Sequence, residues 1–102
     1  MGKVERRRDL EWTKLCVGPG WAGIVDRLVT DLLALGWDGK VNQVKEKLGG
    51  LRFYIGGGTG EIFARIDKAE DESLETCEEC GKPGTLNDRG WWRTLCKEHW
   101  GQ

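Results

Sequence analysis

The sequence predicts an α+β fold: a long helix, a β-hairpin and a second helix, followed by a C-terminal lobe of a different character. Three observations carry that expectation. Apolar residues recur at intervals of three and four between Trp21 and Leu35, the period of one helix face. Two extended runs flank Gly49-Gly50, and glycine tolerates the positive φ that tight hairpin turns require. From Cys77 onward, short Cys and His pairs stand among turn-forming residues.

At 102 residues the chain makes one small domain with a modest core, so a covalent or metal staple would matter to its stability. We divide it into a charged N-terminal segment (1–15), an α+β body (16–76) and the lobe (77–102). The formal net charge is -1, with 32% charged residues of mixed sign, so no global field draws the chain to nucleic acid or an anionic membrane. It has no run of about 18 apolar residues, the length a membrane span needs. No apolar segment follows the basic start, and Arg6 breaks the myristoylation pattern. A cytoplasmic setting with reduced thiols is expected.

Residues 1–11 carry the cluster Arg6, Arg7 and Arg8, diluted by Glu5, Asp9 and Glu11. It reads as a solvated end or as an arm for phosphate or an acidic partner. Trp12 to Gly20 reads as irregular. Pro19 opens the first helix, because its missing N–H would have no partner there anyway. The apolar stripe Trp21, Ile24, Val25, Leu28, Val29, Leu32, Leu33 and Leu35 makes it the core helix, and Gly36 stops it. In the hairpin, Gly49-Gly50 as the turn opposes Leu48 to Leu51, Glu46 to Phe53 and Val44 to Ile55. Alternation then sorts Val44, Glu46, Leu48, Leu51, Phe53 and Ile55 to the helix side. Gln43, Lys45, Lys47, Arg52 and Tyr54 go to the other. That basic face with one aromatic ring is either an ordinary solvated sheet face or a contact surface for phosphate, nucleotide or an acidic protein.

Glu46 is the exception on the apolar face. Burying a carboxylate unpaired is costly. It must lie at the edge, bond an indole or an arginine, or serve in catalysis, for which no second acid, base or nucleophile stands by. Gly56-Gly57-Gly58-Thr59-Gly60 lacks the Lys-Ser/Thr of a P-loop and reads as a connector. Glu61 to Thr76 is the second helix, capped near Thr59 or Gly60. Ile62, Ile66 and Ala69 face inward, joined by Phe63 and Leu74. Its other face is acidic, which argues against a meeting with DNA.

In the lobe, two residues separate Cys77 from Cys80, two separate Cys96 from His99, and fifteen lie between the pairs. Thiolates and an imidazole at that spacing suit a tetrahedral Zn²⁺. Gly81 permits a tight knuckle after Cys80, and Gly84, Asn87, Asp88 and Gly90 mark turns. Trp91, Trp92, Thr94 and Leu95 read as a returning strand, and Cys96 opens a helical turn that carries His99 on the same side. A knuckle, a hairpin and a ligand pair at a helix start form a treble-clef-like zinc finger. Four protein ligands close the coordination shell, which makes the ion structural. Three thiolates and one neutral imidazole on Zn²⁺ sum to -1, which Lys82, Arg93 or Lys97 could offset. Such binding can contribute on the order of 10 kcal/mol to folding. Cys16, outside the set, reads most simply as a small buried side chain, with a replacement ligand or reactive thiol as alternatives.

Six tryptophans are many for this length: Trp12, Trp21, Trp37, Trp91, Trp92 and Trp100. They fill a core or mark a binding surface. The chain also resembles a family of small, largely uncharacterised proteins of bacteria and their phages. The resemblance rests on Cys16, Gly20-Trp21, the hairpin Lys45-Glu46-Lys47-Leu48-Gly49-Gly50-Leu51-Arg52-Phe53-Tyr54, Ala69-Glu70, Ser73, Cys77-Glu78-Glu79-Cys80-Gly81 and Thr94-Leu95-Cys96-Lys97-Glu98-His99. It implies a zinc-binding fold, a phage or mobile-element setting in a bacterial cell, and no enzyme activity. It also implies that Glu46 and Arg52 are tied to each other or to the lobe.

The expected function is therefore binding. The candidate partner surface is Lys45, Lys47, Arg52, Tyr54, Trp91 and Trp92, and the expected partner is a host protein or its ligand, in the service of blocking a defence system. A nucleic-acid-binding module using Arg6 to Arg8 and the hairpin's basic face is the rival, and a small metal-dependent enzyme the third reading. Treble-clef nucleases need histidines beyond the zinc ligands, and His99 is the only histidine.

Overall fold

The computed structural model describes residues 9–87 and 92–100. The expectations for Arg6, Arg7, Arg8, Asp88, Gly90 and Trp91 lie outside the described residues. The chain runs through a 3₁₀ helix (Glu11–Cys16), a 3₁₀ turn (Pro19–Trp21) and helix α1 (Ala22–Ala34) into strands β1 (Val41–Lys47) and β2 (Gly50–Ile55). Helix α2 (Gly60–Ser73) and strands β3 (Thr85–Asn87) and β4 (Arg93–Leu95) follow. Each strand pair is a separate antiparallel ribbon, so the fold is α+β as expected. No helix among the described residues is long and apolar enough to cross a membrane.

The apolar stripe of α1 is its buried face: Ile24, Val25, Leu28, Val29, Leu32 and Leu33. At about 1.5–3 kcal/mol for each fully buried aliphatic side chain, this face is a major source of stability. Its end is a Schellman motif. Gly36 takes φ 96°, its N–H reaches Leu33 O at 3.1 Å, and the Trp37 N–H reaches Leu32 O at 3.0 Å. That turn folds Trp37 back into the core, where its ring meets Phe53 edge-on at 5.9 Å. Helix α2 begins at the Thr59 cap, whose hydroxyl accepts the Ile62 N–H, and buries Ile62, Ile66 and Ala69. Phe63, expected on the inner face, is 44% exposed, because it lies at the edge of that stripe. The helix stops at Ser73, short of the expected Thr76, which instead bridges Pro83 at the start of the lobe.

The hairpin pairs Lys47 with Gly50, Glu46 with Leu51, Lys45 with Arg52 and Val44 with Phe53. The turn is therefore Leu48-Gly49, one residue earlier than expected, with φ of 53° and 83°. Both glycines have tertiary reasons for their places. A side chain on Gly50 would press on Leu74, and one on Gly49 would overlap Leu86 of β3. Moving the turn by one residue changes the cross-strand partners by two, so the sorting of faces survives: Val44, Leu51 and Phe53 are buried and Tyr54 is exposed. Leu48 is the exception. It leaves the inner face for the turn and is 53% exposed.

Candidate metal centre

The lobe is built as a knuckle, a ribbon and a turn. After Cys77 the chain reverses, with the Gly81 N–H returning to Cys77 O at 2.9 Å and the Cys77 N–H to Lys82 O at 2.8 Å. Gly81 adopts φ 82°, which a side chain would strain. Strands β3 and β4 lead to Cys96, whose carbonyl accepts the N–H groups of His99 and Trp100, each at 3.1 Å. That single turn brings His99 back toward Cys96. The last element among the described residues is β4, and the turn after Cys96 follows it.

The four side chains converge. His99 Nδ1 lies 3.0 Å from Cys96 Sγ and 3.5 Å from Cys77 Sγ, and Cys80 Sγ lies 3.5 Å from Cys96 Sγ. All four donor atoms fall within 4.8 Å of one another. Cys77, Cys80, Cys96 and His99 are thus positioned to bind a metal ion. Cys77 and Cys96 are buried, while Cys80 is exposed.

Without an ion, crowded thiols and one imidazole perturb each other. Burial raises the Cys96 thiol, but hydrogen bonds from His99 and the neighbouring thiols outweigh it and bring it down to about 6. For Cys77, burial is likewise overcome by hydrogen bonds from the backbone of Cys96, Cys80 and Glu79. The Lys82 backbone favours the Cys80 thiolate, yet desolvation and the adjacent Cys96 and Cys77 push that thiol up. His99 is raised, chiefly by its hydrogen bond to Cys96. Thiolates beside an imidazolium are half-way to a ligand set, since binding an ion requires only the loss of the remaining protons.

Of the expected offsetting cations, Lys82 pairs with Glu98 at 3.3 Å and Arg93 with Glu79 at 2.6 Å. The Lys82 ammonium is stabilised first by Glu98, then by the charge of Cys80 and Cys96. Lys97 is exposed.

Three contacts tie the lobe, and Thr76 that leads into it, to the rest of the body. The Gly18-Pro19-Gly20 loop lies against the knuckle: the Gly20 N–H donates to Glu78 O at 2.7 Å, and the Gly18 N–H to Glu78 Oε2 at 3.2 Å. A side chain on Gly20 would collide with the backbone of Cys77 to Gly81. Glu78, between two ligands, is buried, and that desolvation raises its carboxyl above the usual range despite the Gly18 N–H, with the nearby charge of Glu46 adding to it. The Trp21 indole donates to Thr76 O at 2.8 Å. The buried Thr94 hydroxyl donates to Gly49 O at 2.7 Å, fastening the hairpin tip to β4. The glycine pair around Pro19 was a readable signal for the first of these; the others join residues too far apart in sequence to suggest each other.

Among the described residues, Glu46 bonds neither an indole nor Arg52. Its carboxylate accepts the Gly49 N–H at 2.7 Å and so pins the turn that Thr94 grips. Arg52 instead pairs with Glu70 of α2. Lys45 is half-buried, and Lys47 and Tyr54 are exposed. Trp92 and Trp100 are exposed on the lobe, while Trp21 and Trp37 belong to the core. Cys16 corrects an expectation: it is exposed, because it ends a 3₁₀ helix whose buried contact is made by Thr13.

No protein-family model matches the sequence, and no curated protein or solved structure matches it significantly.

Proposed function

We propose that this protein is a zinc-stabilised binding module without catalytic activity. The observation that supports this reading best is the convergence of Cys77, Cys80, Cys96 and His99 within 4.8 Å. Zinc bonds of about 2.3 Å to sulfur and 2.0–2.1 Å to nitrogen place tetrahedral ligand atoms roughly 3.5–3.8 Å apart. Three of the six separations, at 3.0–3.5 Å, lie close to that, and all six fall within 4.8 Å. Three sulfurs favour zinc over the harder Mg²⁺ and Ca²⁺. With four protein donors, none of the coordination positions is left for water or substrate, so the ion's part is to hold the lobe in the shape of a treble clef.

The binding reading is supported by the exposed Trp92 on the lobe and by Lys45, Lys47 and Tyr54 on the outer face of the hairpin. Together with the resemblance to small phage and bacterial proteins, they favour a host protein or its ligand as the partner, and a role against a host defence. The nucleic-acid alternative has less support, since Arg52 is engaged by Glu70 and the chain carries a net -1. Affinity capture from bacterial lysate tests the reading. The zinc-loaded protein retains a discrete partner that Trp92→Ala releases at unchanged zinc content. Capture of nucleic acid alone, lost as salt is raised, would replace this reading with the rival.

A further inference from the structure

A second surface lies along β2, beyond the hairpin tip that meets the lobe. Between β2 and α2 runs a groove of about 220 Å³ lined by Tyr54, Ile55, Phe63 and Ile66, with Asp67 and the Arg52–Glu70 pair along it. That is below the ~300–1,000 Å³ of typical small-molecule sites, so it suits inserted side chains better than a whole ligand. Tyr54 and Phe63 are 41% and 44% exposed on its walls, an apolar strip with nothing over it among the described residues.

The charges beside this strip are sorted by sign. On the hairpin side stand Lys45 and Lys47, on the same outward face as Tyr54. Lys45 sits directly opposite Arg52, a repulsive pairing that Glu70 relieves only for the arginine. On the helix side stand Asp67 and Asp71, four residues apart and both exposed. None of these four makes an ion pair among the described residues. Two unpaired cations and two unpaired anions thus flank one aromatic strip.

A surface with this arrangement is complementary to itself. A two-fold axis through the groove sets Lys45 and Lys47 of one copy over Asp67 and Asp71 of the other, twice, and stacks the Tyr54 and Phe63 rings between them. A partner of a single charge sign would satisfy only half the surface, and the near-neutral chain raises no net repulsion between copies. The geometry points to a second copy of this chain as the occupant of the β2–α2 groove, in an isologous dimer. The inference is independent of the metal; because it occupies Lys45, Lys47 and Tyr54, it leaves the exposed Trp92 on the lobe as the surface for any other partner.

Sedimentation equilibrium of the zinc-loaded protein tests it. The wild type sediments at twice the 11.5 kDa chain mass at micromolar concentration, and the dissociation constant rises with salt. K45E/K47E and D67K/D71K each weaken self-association by at least about tenfold, since like charges then meet across the axis. Mixing the two variants restores a dimer, because each supplies the charge that the other needs. Zinc content and circular dichroism identify any variant that fails to fold; Phe63→Ser then replaces it as the probe and is expected to give monomer. A wild type that stays monomeric at 100 µM, or a dimer indifferent to both swaps and to Phe63→Ser, overturns the proposal.

Discussion

Trp21 and Trp37 are both buried, yet their indole nitrogens fare differently. Trp21 Nε1 donates to Thr76 O at 2.8 Å, whereas the buried Trp37 Nε1 has no partner among the described residues. Replacing each with Phe removes similar volume but different chemistry. Trp21→Phe loses a bond and leaves the Thr76 carbonyl short of a donor, at an expected cost of about 2–3 kcal/mol. Trp37→Phe discards an N–H that was costing free energy, so its penalty should be smaller by about 1 kcal/mol or more. Urea unfolding of the metal-loaded variants measures both; equal losses would mean that the indole bond contributes little. The sequence marked both tryptophans as apolar. It could not mark one as bonded, because the partner is 55 residues away. The ligand residues were legible for the opposite reason: their chemistry is stated by residue type and by spacings of two. Cys16 and Phe63 were misjudged because composition and helical period identify apolar side chains without saying which lie at the border of what packs on them.

The hairpin shows the same limit at the level of an element. Alternation sorted the residues to their faces, and that survived except at Leu48. The turn's position did not, because Gly49 and Gly50 are constrained by Leu86 and Leu74, residues from elements that the local pattern does not include. The outcome leaves Leu48, a γ-branched residue, at φ 53°. A left-handed conformation costs an ordinary side chain about 1–2 kcal/mol, and Asn tolerates it better. Leu48→Asn is therefore expected to stabilise the protein by about 0.5–1 kcal/mol, a rise in melting temperature of roughly 2–8 °C for a domain of this size. A fall on calorimetry would mean that the Leu48 side chain makes contacts worth more than the strain.

Over the whole molecule, lobe and body are expected to unfold together, because the knuckle backbone and Thr94 are bonded to Gly18, Gly20 and Gly49. Losing the ion should loosen the helices as well as the ribbon. Acid should have the same effect. The Cys96 thiol is lowered from an ordinary 9.0 to about 6, so the stability its thiolate contributes is complete above the ordinary value and is lost as pH falls through about 6. His99 is shifted the other way, and its protonation below the raised value competes with the ion. Metal retained at pH 8 is expected to be released as acid protonates the thiolates and His99, with circular dichroism falling in step; a loss of ellipticity in acid with the metal still bound would mean that these four side chains are not what holds it.

The most direct test is native mass spectrometry of the purified chain, joined to thermal melts with and without a chelator. One zinc per chain is expected, lost in Cys77→Ser and Cys96→Ser, together with a collapse of the melting transition when the ion is stripped. A metal-free chain that melts unchanged in the presence of chelator would contradict a lobe closed by three sulfurs and one nitrogen.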